Sequence, residues 1–313
     1  MIDSKVNTDF LSIIIPVYND YEVLDELYNR LVQVIPELCN KYEIILIDDG
    51  SKDNSWSKIK ELKNKNGNIV GIKLIRNFGQ HNAISAGLNN VSGDLVVLMD
   101  SDLQDKPEDI SKLIDALIQN DSSMCIAKWK SRKDTFSKKL VSRLFHIITT
   151  RITKLRHEPN LGVFRVIRKE LVNELAKYNE KTATSLSLLY WIGADYVTVD
   201  LDRDERFAGK SGYSIRKMIK LTLDRIFSFS MFPIRLAIFS GISISLISFV
   251  IAIVLIIKRL NGIVAPGWTS LAVLILFLFG LTFLFLGVIG EYLGRIFLES
   301  KQRPNYIIKK ILK

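Results

Sequence analysis

Two long stretches without charge constrain this chain more than any other feature. No charged residue lies between Arg235 and Lys258, and none between Arg259 and Glu291. About 20 apolar residues carry a helix across the hydrocarbon core of a bilayer. A helix on the surface of a soluble domain keeps a polar stripe, which these stretches lack. The pattern predicts spans over about 236–257 and 269–290, joined through Asn261–Ser270, where Pro266 and Gly267 break the helix. Met1–Phe10 holds no apolar leader, so the part ahead of the spans is expected to stay in the cytoplasm. Two spans return the chain to that side. Arg295, Lys301, Arg303, Lys309, Lys310 and Lys313 follow the second span, as the positive-inside bias requires. Lys258 and Arg259 fall on the far side. The expected location is a cytoplasmic (inner) membrane, as a multi-pass protein with its soluble domain in the cytoplasm.

The charge is uneven. The chain carries +10, and residues 226–313 hold nine Lys/Arg against two Asp/Glu. The basic excess thus lies beside the spans, where it suits anionic lipid rather than nucleic acid. Cys39 and Cys125 are the only cysteines, too few for a disulfide framework or a thiolate metal cluster. The expected division is a soluble domain over 1–213, an amphipathic juxtamembrane helix over 214–233, a two-helix membrane hairpin over 234–290 and a basic cytoplasmic tail over 291–313. A second basic amphipathic stretch, Phe136–Leu155, also suits a lipid interface.

Within the soluble part, short apolar runs alternate with helix-spaced segments. Strands are expected at Leu11–Val17, Glu43–Ile47, Ile69–Ile75, Asp94–Met99 and Met124–Lys128. Helices are expected from Val23 to Leu38, at Ser55–Asn66, at Gln80–Asn90 and at Pro107–Asn120. This alternation implies an α/β fold with a mostly parallel, Rossmann-like sheet. Ligands of such sheets sit beyond the carboxyl ends of the strands. Polar clusters stand there: Asp48-Asp49-Gly50-Ser51, Arg76-Asn77 and Asp100-Ser101-Asp102. Two carboxylates one residue apart after a buried strand suit a hard cation such as Mg²⁺ or Mn²⁺, which leaves positions open for phosphate oxygens. The other reading of a lone Asp-x-Asp is a solvated turn. Asp48–Ser51 is either a strand-ending turn with a helix cap at Ser51 or Asp53, or a carboxylate for a base or ribose. Neither a Gly-x-Gly-x-x-Gly turn nor a phosphate-loop lysine motif is present.

Four motifs occur in order: Ile14-Ile15-Pro16-Val17-Tyr18-Asn19, Ile47-Asp48-Asp49-Gly50-Ser51, Arg76-Asn77-Phe78-Gly79-Gln80-His81 and Met99-Asp100-Ser101-Asp102-Leu103-Gln104-Asp105. Glu205–Tyr213 and Gly287–Arg295 continue the likeness. The chain resembles family 2 glycosyltransferases of the GT-A fold, and more narrowly the polyprenyl-phosphate glycosyltransferases. The resemblance implies inverting sugar transfer from a nucleotide-diphosphate sugar, with uridine the default base, to polyprenyl (undecaprenyl) phosphate. It implies a Mg²⁺ or Mn²⁺ cofactor and a homo-oligomer, a tetramer in the family. Pro16, Tyr18, Asp49, Arg76 and Asp100 match nucleotide-sugar positions. Asp100, Asp102 and Gln104 match the metal and diphosphate positions, with Asp100 and Asp102 central to catalysis. Arg132, Arg206, Lys210 and Ser211 match a region suited to the acceptor phosphate. One departure stands out. Relatives usually carry an aspartate close to the Gly-x-Phe-Arg segment, whereas this chain has Gly162-Val163-Phe164-Arg165, with no carboxylate after Glu158.

Alternative functions are a processive polysaccharide synthase, a non-catalytic GT-A membrane scaffold and a flippase or channel. The synthase reading lacks its Gln-x-x-Arg-Trp motif, since Ser187 and Tyr190 precede Trp191 in those places.

Overall fold

The computed structural model describes residues 8–129, 151–153, 158, 161–178, 180, 181, 183–202, 223, 226–261 and 267–313. Its centre is strand β1 (Thr8–Val17), where Leu11, Ile13, Ile14, Ile15 and Val17 are all inaccessible to solvent. An unbroken apolar run demands cover on both faces, and a central parallel strand receives it. β1 pairs in parallel with β2 (Cys39–Asp48) and with β4 (Leu95–Leu98), and β2 pairs in parallel with β3 (Ile69–Leu74). Beyond β4 the sheet becomes mixed. β6 (Leu161–Arg168) runs antiparallel to β4 and to β5 (Met124–Trp129), and β7 (Tyr196–Leu201) is parallel to β5. With β8 (Ile308–Leu312) antiparallel to β3, the eight strands lie in the order β7-β5-β6-β4-β1-β2-β3-β8. The sheet is mixed, with parallel pairs predominating among the four strands that carry the expected site.

Helices α1 (Leu24–Leu38), α2 (Ser55–Lys65), α3 (Gln80–Leu88) and α4 (Ile110–Gln119) cover the sheet. α1 buries Leu24, Leu27, Leu31 and Ile35, the i, i+3, i+4 face that its spacing predicts. The helix expected from Pro107 begins as a 3-10 turn over Pro107–Asp109, and α4 follows. Proline has no N–H to give and fixes φ, so it is tolerated at a helix start. α5 (Lys169–Leu175) and α6 (Ser185–Trp191) complete this part.

The described residues fall into two compact units: those up to Ile215 with Arg303–Lys313, and those within Arg216–Gln302. The second unit holds α7 (Phe232–Leu260) and α8 (Trp268–Ser300). Both are longer than the expected spans. α8 runs ten residues past Gly290, through Gly294, and ends at Ser300 ahead of Pro304. Phe239 and Phe283 are 67% and 69% exposed, and the span windows bury none of their residues against protein. Taking one such side chain out of water is worth about 1.5–3 kcal/mol. Two helices this apolar and this open are stable in lipid, so the chain is membrane-associated.

The segment expected to be a loose basic tail is ordered at both ends. Ile308–Leu312 forms β8, because its apolar residues meet the β3 edge, Leu312 lying over Gly71. Lys309 and Lys310 remain exposed on the outermost strand, where charge blunts edge-to-edge pairing. The basic amphipathic stretches at 136–155 and 214–229 lie largely outside the described residues.

Candidate functional site

β1, β2, β3 and β4 point the same way, so the loops after Val17, Asp48, Leu74 and Leu98 share one end of the sheet. Asp49 N–H donates to the Val17 carbonyl at 2.9 Å. Asn19 adopts a left-handed φ of 56°, a conformation Asn tolerates. Its N–H reaches Ser51 Oγ at 3.0 Å, while its Oδ1 accepts from Lys52 N–H at 2.9 Å. Asp20 N–H donates to Ser55 Oγ and Tyr21 N–H to Asp53. Short polar side chains thus satisfy the backbone of two neighbouring loops. Between them the Tyr18 side chain stays 42% exposed, next to Pro16 on β1.

Asp49 is almost wholly buried. Its Oδ1 accepts from Phe78 N–H at 2.7 Å and its Oδ2 from Gly79 N–H at 2.9 Å. Burial pushes its pKa up against those two N–H groups, and the Asp48 charge adds to the rise. Gly50 has φ of 69°, and a Cβ there would stand 2.3 Å from the Arg76 carbonyl carbon. Asp49 and Gly50 together clamp the 76–79 loop. Arg76 is exposed, with its guanidinium 4.4 Å from the Phe78 ring centre. Asp48 is inaccessible; it accepts from Ser51 N–H at 2.8 Å, and the Lys73 ammonium stands 3.6 Å from its Oδ2.

Asp100 and Asp102 follow β4 and are half-buried. Gln80, the first residue of α3, donates its amide to Asp100 Oδ1 at 2.5 Å. Gln104 N–H donates to Asp102 Oδ1 at 3.2 Å, across a turn in which Leu103 takes φ of 57°. Ser101 Oγ donates to Asp20 Oδ2 at 2.6 Å, which joins this loop to the one after β1. Burial raises the Asp20 pKa, the hydrogen bonds from Ser101 and Tyr18 N–H oppose the rise, and the Asp102 charge adds to it. Asp100 and Asp102 fit a hard divalent cation: they are half-buried oxygen donors at a strand end, each accepting a hydrogen bond. Among the described residues no third His, Cys, Asp or Glu completes a cluster. That suits an ion whose remaining positions go to water and phosphate oxygens.

Arg132, Arg206, Lys210 and Ser211 lie outside the described residues. On the β5–β6 side the described residues form a braced segment. Gly162 lies against the Trp129 indole, where a Cβ would stand 2.6 Å from Nε1. Arg165 is 3% exposed. Its Nε donates to the Val163 carbonyl at 3.0 Å and a terminal nitrogen to the Gly162 carbonyl at 2.6 Å. Lys128 and Glu158 pair at 2.7 Å. The reading of the sequence missed Asp20, Gln80 and Arg165 as site-building residues. Gln80 stands within the Arg76–His81 motif and Asp20 directly follows Asn19, so both had a usable signal. Arg165 ends the Gly162–Arg165 segment of the family likeness, but nothing in that likeness shows that it bonds its own strand's carbonyls.

A mixed sheet with four parallel central strands, acidic loops at their carboxyl ends and an Asp-x-Asp after β4 defines a GT-A glycosyltransferase. The profile of glycosyl transferase family 2 matches residues 12–176, and the chain belongs to that family. It is 36% identical to a bactoprenol glucosyl transferase of Shigella phage SfV over 96% of this chain and 98% of that one. It is 33% identical to an undecaprenyl-phosphate 4-deoxy-4-formamido-L-arabinose transferase of Proteus mirabilis over 98% and 95%. Among solved structures, glucosyl-3-phosphoglycerate synthase from Mycobacterium tuberculosis, crystallised with Mn²⁺, UDP and phosphoglyceric acid, has a TM-score of 0.51 at 15% identity. The likeness covers 70% of this chain and 76% of that one, and it bears on the fold.

Proposed function

We propose that this glycosyltransferase moves a sugar from a nucleotide-diphosphate sugar, UDP-linked by default, onto the phosphate of a polyprenyl lipid such as undecaprenyl phosphate. The observation that carries the reading is that one chain holds both the Asp100/Asp102 loop and two helices apolar enough for lipid. The near-full-length likeness to enzymes named for bactoprenol and undecaprenyl phosphate supports the acceptor. Pro16, Tyr18 and Arg76 line the strand ends where the nucleotide would lie. Asp49 acts by holding the 78–79 backbone in place. Asp100 and Asp102, with Gln104, would hold Mg²⁺ or Mn²⁺. When bound, that ion neutralises charge on the departing diphosphate.

In the reaction an acceptor phosphate oxygen attacks the anomeric carbon. The bond from that carbon to the nucleotide diphosphate breaks, and configuration inverts. The attacking group needs little help from a base. A phosphate monoester has a second pKa near 6 and is largely dianionic at pH 7. That matches a segment with apolar Val163 where relatives carry an aspartate nearby, and a Glu158 occupied by Lys128. Positioning and electrostatics are left to lower the barrier, with Arg132, Arg206, Lys210 and Ser211 as proposed acceptor-phosphate contacts.

Chain connectivity supports the proposed membrane arrangement. β8 pairs with β3, so the segments before α7 and after α8 belong to one folded unit. A membrane crossed once by each helix leaves both segments on the same side, which we assign to the cytoplasm of a multi-pass inner-membrane protein. The test is a panel of radiolabelled sugar nucleotides given to purified protein with undecaprenyl phosphate and Mn²⁺ or Mg²⁺. A labelled, organic-extractable product with one donor is expected. No lipid product across the panel would remove the acceptor assignment.

A further inference from the structure

The loop after β3 and the loop after β4 are joined through the first turn of α3. Gly79, at a positive φ of 92° that side-chain-bearing residues rarely adopt, leads into Gln80. Its N–H and that of Phe78 are both fixed on Asp49. The turn that follows is closed by Ala83 N–H to the Gly79 carbonyl at 3.1 Å, and the Asn82 side-chain amide donates to the Phe78 carbonyl at 2.8 Å. Farther along, Ala83, Ile84, Ala86 and Gly87 are buried, with Gly87 pressed against Ile14. The Gln80 backbone therefore has little freedom. Its side chain is exposed apart from what it reaches, and it reaches Asp100 Oδ1 at 2.5 Å.

We infer that Gln80 is a positioning residue for Asp100, setting the orientation of its carboxylate for the cation. This rests on the reading of Asp100 and Asp102 as the cation's ligands. A neutral amide suits the task. It gives one oxygen a directed hydrogen bond and leaves the carboxylate its full charge. A lysine there would neutralise that charge, and a glutamate would repel it. Asp49 becomes the far anchor of the same arm: it fixes residues 78 and 79, the helix start fixes Gln80, and Gln80 fixes Asp100. Partners that orient a metal-binding carboxylate change affinity by about 10–100-fold when removed.

The experiment is a Mn²⁺ titration of the purified full-length protein, without nucleotide, read by electron paramagnetic resonance of the free ion. Gln80→Met keeps the length of the side chain and removes the donor; Gln80→Ala removes both. Each should weaken Mn²⁺ binding about tenfold, with the melting temperature close to that of the wild type because the side chain is exposed. Asp102→Ala separates this inference from the reading beneath it. If Asp102→Ala loses Mn²⁺ while Gln80→Met binds like the wild type, the role of Gln80 is wrong and the metal site stands. If the wild type and Asp102→Ala bind Mn²⁺ alike, the metal site itself is wrong and the role of Gln80 falls with it.

Discussion

The two halves of the sheet end are tied together with opposite polarity. After β1, β2, β3 and β4, side-chain oxygens collect backbone N–H groups: Asp49 holds Phe78 and Gly79, Asp48 holds Ser51 and Asp53 holds Tyr21. On the β5–β6 half a guanidinium collects carbonyls, those of Gly162 and Val163, and no carboxylate among the described residues pairs with Arg165. Loops tied by aspartates leave negative charge at the strand ends, where a cation is welcome. A strand tied by its own arginine carries buried positive charge, which favours an anion. Under the proposed function, the cation belongs to the first half and the anionic acceptor to the second.

The strongest way to break that comparison is to remove charge from the β1–β4 half. Asp102→Ala should lower the rate of sugar transfer on the order of 10²–10³-fold, the scale of losing one preorganised electrostatic contact. Its thermal unfolding should stay near wild type, because the carboxylate is half-exposed. A variant that keeps most of its rate would mean that the acidic half is structural and the chemistry lies elsewhere.

Deleting residues 303–313 comes next. The segment supplies β8, a carbonyl at Ile307 for Ile75 N–H at 3.0 Å, and the Tyr306 hydroxyl that accepts from Asn89 at 2.8 Å. Asn305 adds a donor to the Glu180 carbonyl at 3.0 Å. At about 0.5–1.5 kcal/mol net for each hydrogen bond, the loss is about 3 kcal/mol and lowers the melting temperature by roughly 10 °C. β3 leads directly into Arg76–Gly79, so KM for the donor should rise more than KM for the acceptor. An equal rise in both would show that the strand serves the whole sheet and favours neither half.

These halves also differ in how much of them the sequence reveals. The β1–β4 half is written in unbroken apolar runs followed by Asp, Asn and Gly, so both its strands and its ligand-bearing loops are legible. β6 is not, because the buried Arg165 interrupts its apolar pattern and the strand's partners lie far away in sequence. β8 reads as a basic tail because Lys309 and Lys310 face solvent on an edge. Its fate depends on an open β3 edge that no local pattern announces. Asp49, Asp100 and Asp102 are legible as strand-end polar positions and Pro16 only through the family resemblance, but no sequence pattern shows that Asp49 spends both oxygens on backbone N–H groups.

The β5–β6 half can be probed by giving it a carboxylate. Val163→Asp should change the rate less than about threefold and add no new limb to the pH profile, because the acceptor phosphate is already ionised above its second pKa near 6. A gain of tenfold or more would show that a base had been missing and that dianion attack is insufficient.

The smallest effect concerns Glu108, which supplies to Arg30 the ionic partner that Arg165 lacks among the described residues. Arg30 Nε and a terminal nitrogen donate to the two Glu108 oxygens at 2.9 and 2.5 Å. The hydrogen bond from Arg30 holds the Glu108 carboxyl below its ordinary value of 4.5, with burial opposing. A carboxyl depressed in the folded state contributes stability above its unfolded pKa and loses it as pH falls through the folded one. Glu108→Gln should therefore lower the melting temperature slightly at pH 7 and leave it unchanged near pH 3. With its side chain 49% exposed, the loss stays below about 1 kcal/mol. Asp20 and Asp49 act in the other direction, since burial raises both. Their ionised forms cost stability above the unfolded value of 3.8, and protonation returns it as pH falls. Melting curves from pH 3 to pH 7 separate the two signs. An equal drop at both ends of that range would make the Arg30–Glu108 contact one of packing rather than charge, and the contrast with Arg165 would then rest on geometry alone.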